Sequence, residues 1–303
     1  MSKTSSSKQP RRELRKQLQA AISAGDPQRV RAIAAADATI VNASNAHHNV
    51  PLGDAIKSGN LAMVELLIAL GADPCSVNHG GRSLLDAAAL LGDQPDIARC
   101  LIAAGATPSI LHAAALGDIP TLQQSLQEDP TRLSAQPCGG RWELSPLHAA
   151  AMTGCMESIE CLLQAGAAVD EPNHNQHTPL ALAVEQLADA RAAAVARVLL
   201  AAGALPDGPA GHHGGSLLHR AVMLGKCETA EALLKGGANP NLQDWSEKTP
   251  LHYAVEKNLA LVQLLLQFNP DLTLTSVEDE TPADLARRKG KRSVVQLLES
   301  AAG

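Results

Sequence analysis

Along the chain, apolar residues recur at three- and four-residue spacing in short runs. Each run is closed by a glycine and followed by a few polar positions, the pattern of short amphipathic helices. The stretch from Ser145 to Ala167 shows it most plainly. Ser145 can cap a helix start, because its hydroxyl accepts a bond from an N–H left unpaired in the first turn. Pro146 then takes the first helical position, where a missing N–H costs nothing and φ is already helical. Leu147 and the alanines after it give a slim apolar face, and Gly154 ends the run. A second amphipathic run covers Ile159 to Gln164, and Gly166 supplies the left-handed residue that closes it. Two helices this short cannot bury their own apolar faces and require neighbours of the same kind.

The neighbours are present. Aligned on Pro146, the pattern recurs at Pro51, Leu84, Ser109, Pro179, Leu217, Pro250 and Pro282, with steps scattered about 33 residues. A weaker copy places Gln17 in the same position, 34 residues before Pro51. The helix-closing Gly-Ala pair recurs at Gly71, Gly105, Gly166, Gly203 and Gly237. Thr178-Pro179-Leu180, Thr249-Pro250-Leu251-His252 and Ser216-Leu217-Leu218-His219 carry a T-P-L-H signature. On these residues the chain resembles the ankyrin-repeat family over roughly residues 13–300, in about nine degenerate copies. The resemblance implies an all-α repeat solenoid of helix-turn-helix units joined by hairpin fingers.

This pattern divides the chain into a disordered tail at 1–12 and one solenoid at 13–303. Within the solenoid, 13–45 form an N-terminal cap repeat, 46–278 the internal repeats and 279–303 a C-terminal cap. In the first cap, Leu18, Ala21, Ile22, Val30 and Ile33 face inward and Arg12, Arg15, Lys16, Arg29 and Arg31 outward, since a terminal repeat needs a polar outer face. Two irregularities interrupt the period. Gly105–Ser109 runs almost directly into Ile110, leaving no room for a finger, and the missing length returns as a loop from Asp129 to Gly140. Extra residues around Ala188–Ala194 lengthen one second helix.

Composition narrows the function classes. Aromatics make up 1% of the chain, which suits stacks of slim helices better than a bulky core. The net charge of −6 argues against a nucleic-acid partner, which requires a basic face. No apolar run is long enough for a membrane span. The start, MSKTSSSKQPRRELRK, has charges without an apolar region, so it does not read as a secretory signal. The six cysteines show no CxxC pairing, and a reduced, cytoplasmic setting is expected.

Catalytic motifs are missing: there is no GxSxG, P-loop, HExxH or suitably placed GxGxxG. The chain is therefore expected to be no enzyme and to use no cofactor. His174 and His177, and the adjacent pairs His47-His48 and His212-His213, lack flanking ligands in a metal pattern, so no metal site is expected. In the family, the histidine of the T-P-L-H motif bonds within the first helical turn, which assigns His148, His219 and His252 to the scaffold. Cys138, beside two glycines and Arg141, is the one candidate for hidden nucleophile chemistry.

The resemblance implies that partners are held by finger tips and by the exposed side of the first helices. The tips fall at Ala46-His47, His79-Gly80, Arg141-Trp142, His174-Asn175, His212-His213, Trp245-Ser246 and Val277-Glu278. Both tryptophans of the chain, Trp142 and Trp245, land there, and Trp and Arg are enriched among residues that dominate binding energy. Exposed first-helix positions include Leu90, Leu91, Leu116, Met152, Met223 and Leu224, a broken apolar stripe of the kind that marks interaction surfaces. Histidine recurs at the tips (His47, His79, His174, His212, His213), a row that would make binding pH-dependent or favour an acidic partner. The expected function is a monomeric, non-enzymatic scaffold that binds a segment of a partner protein on its concave finger and helix face. An effector delivered into another cell, using the same surface on a host protein, is the alternative that the Ser-rich start supports.

Overall fold

The computed structural model describes residues 8–45, 49–78, 81–91, 95–134, 143–208 and 215–302. They form two compact units, the first from residues 1–128 and 136–143 and the second from 129–135 and 144–303. Both are built from antiparallel helix pairs, and Val77 and Ser83 form an isolated β bridge.

The first unit holds four pairs: α1 (Lys8–Ser23) with α2 (Pro27–Ala36), α3 (Pro51–Lys57) with α4 (Leu61–Ala69), α5 (Leu84–Leu90) with α6 (Pro95–Ala103), and α7 (Ile110–Leu116) with α8 (Ile119–Glu128). Each first helix packs on the first helix of the next pair, and the apolar faces of the first three pairs merge into one core, against which Leu116 of α7 packs. Leu18, Ala21, Ile22, Val30 and Ile33 are all buried in it, as the periodicity predicts. Arg15 differs from its expected outward position. It is buried, and its guanidinium donates to the Ala43 and Asn49 carbonyls and to the Asp54 carboxylate. Its place in α1 turns it toward α3, where a paired carboxylate and two carbonyls replace water. Two further expectations shift: α1 already begins at Lys8, and Gln17 lies inside that helix rather than at a helix start.

The second unit holds five pairs: α9 (Pro146–Thr153) with α10 (Met156–Gln164), α11 (Pro179–Gln186) with α12 (Asp189–Ala201), α13 (Leu217–Met223) with α14 (Cys227–Lys235), α15 (Pro250–Lys257) with α16 (Leu259–Leu266), and α17 (Pro282–Arg288) with α18 (Arg292–Ala302). Each first helix of this unit starts on a Ser or Thr N-cap. Ser145 Oγ accepts the His148 N–H, while the Ser145 N–H donates back to His148 Nδ1 at 3.1 Å, closing a reciprocal box. Gly154 then ends α9 in the left-handed region at φ 69°.

The missing finger and the lengthened second helix take their expected form. The chain passes from α6 to α7 without a finger, and Ser109 caps α7 by accepting the His112 N–H at 3.1 Å. Ile110, not Ser109, therefore occupies the position of Pro146, and α7 reaches Gly117 one residue sooner. The lengthened second helix is α12, 13 residues against nine in α10. Of the long loop, residues 129–134 form a 3-10 turn over Pro130–Leu133, capped by Asp129; residues 135–142, with Cys138, lie outside the described residues.

Candidate partner-binding surface

Three fingers of the second unit share one construction. In each, the first residue donates its N–H to the carbonyl of the fifth: Asn173 to His177, Asp244 to Lys248, and Ser276 to Glu280. The first side chain then closes the turn. Asp244 accepts from the Ser246 and Lys248 N–H groups, and Asn173 accepts from those of Asn175 and His177. This local bonding is what short Asx side chains do in tight turns. It leaves the second residue of each finger at the tip, which places His174, Trp245 and Val277 outermost. All three are exposed, Trp245 at 79% and Val277 at 59%.

The fourth finger residue takes the left-handed conformation in every case: Gln176 at φ 61°, Glu247 at 55° and Asp279 at 54°. That region disfavours a Cβ, yet none of these residues is glycine. Neighbouring fingers are also joined. The Val277 N–H donates to the Ser246 carbonyl at 3.1 Å, and Gln243 Nε2 reaches the Thr275 carbonyl at 2.9 Å.

The motif histidines support the fingers from beneath. His148, His219 and His252 are buried, and each places Nε2 about one hydrogen bond from a carbonyl at the base of the next finger: His177, Lys248 and Glu280 respectively. The N-cap N–H donates to Nδ1 in each case, so Nε2 carries the proton and donates outward. Burial pushes the His148 imidazole down to about 4, against the opposing pull of its carbonyl bonds. His219 and His252 are lowered for the same reason. These three rings are scaffold, as the resemblance implies.

Beside them stands Tyr253, which no sequence motif marks. Its hydroxyl donates to Asp244 at 2.5 Å, its ring meets His219 edge-on, and Lys248 Nζ lies 5.7 Å from the ring centre. Burial and the Asp244 carboxylate push its hydroxyl up to about 12. Burial raises the Asp244 carboxyl as well, but the bonds from Tyr253 and the two backbone N–H groups outweigh it and hold the group below its ordinary value.

The apolar positions separate by exposure. Leu91 is exposed at 49% in the first unit, whereas Leu90 and Leu116 are half-buried, with Leu116 packed against the unit's core. In the second unit Met152 is half-buried, and Met223 and Leu224 are exposed. His47, His79, Arg141, Trp142, His212 and His213 lie outside the described residues. Glu185, near the end of α11, is mostly enclosed, 3.2 Å from Arg220 and 3.6 Å from His177.

Among the described residues no group of three or more His, Cys, Asp or Glu side chains is arranged to hold a metal ion. No described helix is long and apolar enough to cross a membrane. Cys100 and Cys227 are raised by burial, the opposite of what an activated thiol requires.

Comparison with known proteins agrees with this architecture. Residues 110–208 and 218–302 match the family described as ankyrin repeats (3 copies), and residues 52–102 match ankyrin repeats (many copies). The chain belongs to the ankyrin-repeat family. Over 219 residues it is 29% identical to the B-cell lymphoma 3 protein homolog of Mus musculus, covering 68% of this chain and 48% of that protein. It is 36% identical over 109 residues to cyclin-dependent kinase inhibitor 2A of Homo sapiens, covering 35% and 69%. It is 39% identical over 90 residues to NF-kappa-B inhibitor alpha of Sus scrofa, covering 27% and 29%. The chain thus spans less than half the length of the mouse relative. Proteins of this family serve in protein–protein interaction, and that coarse role carries over.

Proposed function

We propose that the chain is a non-enzymatic scaffold that binds a segment of a partner protein along its finger tips and first helices. One observation carries this reading. Of the exposed large apolar side chains of the second unit, Met223, Leu224, Trp245 and Val277 occupy tip or first-helix positions. Among the described residues of the unit these are four of six, Leu205 and Leu259 being exposed elsewhere, and apolar groups gathered at the positions a scaffold leaves free favour a covering partner. Two relatives point the same way, since their names describe inhibitors of a kinase and of NF-kappa-B.

Site-specific photo-crosslinking tests the reading. A photoreactive residue replaces Trp245 or Met223, and as a control exposed Glu228 in α14, a second helix. The expected result is a discrete protein adduct from the first two positions and none from the control. Equal labelling from all three would reject the assigned face.

A further inference from the structure

The negative charge of this protein is not spread evenly. Residues 144–303 carry 12 Lys and Arg against 18 Asp and Glu, which accounts for the whole net −6; residues 1–143 balance at 13 and 13. Within the acidic part, the linked tips of fingers 244–248 and 276–280 combine exposed apolar surface with carboxylates. Trp245 and Val277 stand out on neighbouring tips joined by the Val277–Ser246 backbone bond. Around them Glu247, Glu278 and Asp279 are exposed. Glu278 is shared with Arg288 at 3.2 Å, a guanidinium held mainly by Glu280. The Glu247 and Asp279 carboxylates take no hydrogen bond or ion pair among the described residues.

Two features mark this edge as built for contact. An indole 79% exposed is costly to leave in water and offers a face that attracts a cation. The two free carboxylates also sit on the left-handed positions, where glycine would hold the turn without strain. Asp is tolerated in that region, but local folding preference does not explain Glu247 there, whereas recruitment of a positive partner does. A second copy of the chain is a poor occupant, because a two-fold contact would oppose the same carboxylates across the interface.

Resting on the scaffold reading above, we propose that the joined tips at Trp245 and Val277 bind an extended protein segment in which Lys or Arg residues flank an apolar or aromatic anchor. The anchor packs on the indole and the Val277 side chain, and the cations meet Glu247 and Asp279.

Selection from a library of short random peptides, displayed against the full chain, tests this. Binding of the selected peptides is then measured by fluorescence anisotropy at about 50 and about 300 mM salt. The expected winners carry Lys or Arg on both sides of an apolar residue and weaken with salt. Trp245→Ala lowers their affinity at least about tenfold. The Glu247→Gly/Asp279→Gly double variant lowers it by roughly fivefold and removes most of the salt dependence, while melting no lower than the parent. That last combination separates recognition from folding, because a structural role for these carboxylates would lower the melting temperature with the affinity. Winners that are neutral or acidic, or that ignore both variants, would overturn the proposal and leave the scaffold reading standing on another surface. The same holds if sedimentation shows the chain dimerising through Trp245. Failure to select any ligand would overturn both.

Discussion

The N–H of Val277 donates to the carbonyl of Ser246 at 3.1 Å, so two successive finger tips share a backbone hydrogen bond. Glu247, next to Ser246, is held at φ 55° by the same turn. A side chain in this region costs roughly 1 kcal/mol relative to glycine, part of which glycine returns through its freer unfolded chain. Glu247→Gly is therefore expected to stabilise the second unit by about 0.5 kcal/mol, read as a higher midpoint in urea unfolding. A lower midpoint would mean that the Glu247 side chain supports the turn.

Acid should weaken the second unit before its carboxylates titrate. An unfolded histidine takes up a proton near pH 6.5, whereas folded His148 resists until about 4. Between those values the unfolded state binds more protons, so stability falls as pH drops from 6.5 toward 4. His148 alone accounts for up to roughly 3 kcal/mol across that window, and His219 and His252 add in the same direction. Unfolding free energies at several pH values between 4 and 7 provide the measurement. A His148→Asn variant should be less stable at pH 7 and show a shallower slope; an unchanged slope would show that His148 does not set it.

Much of this organisation is legible in the sequence because each repeat announces itself locally. Ser145-Pro146 and Gly154 fix a helix start and stop by their own φ preferences and side-chain bonds, and the structure keeps both. The tip positions of Trp245 and Val277 follow by counting from such starts. Long-range pairings leave no such trace. Arg15 reads as a surface cation, because only the fold brings Asp54 to it across 39 residues. Glu185 is likewise enclosed by Arg220, one repeat away, a partner no local signal announces. The fold also separates Leu91, which is exposed, from Leu116, which packs into the core, although both are leucines at similar repeat positions.

The lengthened helix α12 has a consequence beyond its own repeat. Asp189, at its start, accepts the Glu228 and Thr229 N–H groups and the Thr229 hydroxyl, and so caps α14 across 40 residues. Lys226, the residue preceding α14, offers no side-chain acceptor and instead donates to the Val184 and Leu187 carbonyls. Asp189→Ala should cost about 1–2 kcal/mol, the range for a lost helix cap. Calorimetry provides the check, and hydrogen exchange should place the loss at the first turn of α14. A neutral Asp189→Ala would mean that water replaces the cap.

Arg15 offers the sharpest separation of pairing from burial. Its guanidinium is 5% exposed as a residue and meets the Asp54 carboxylate at 3.0 Å, with the Ala43 and Asn49 carbonyls as further acceptors. Arg15→Met leaves Asp54 without its charge partner and the Ala43 carbonyl without its donor, while Asn49 keeps the Asn45 N–H, and should destabilise the first unit by about 3 kcal/mol. Asp54→Asn keeps the space filled and a polar partner in place, and should cost less. Joined in one chain, the two changes should cost clearly less than their sum, because the second removes a charge the first has already orphaned. A double-mutant cycle in urea measures this coupling. Strict additivity would show that the carboxylate contributes nothing to holding Arg15, and that the two backbone carbonyls alone keep α1 docked on α3.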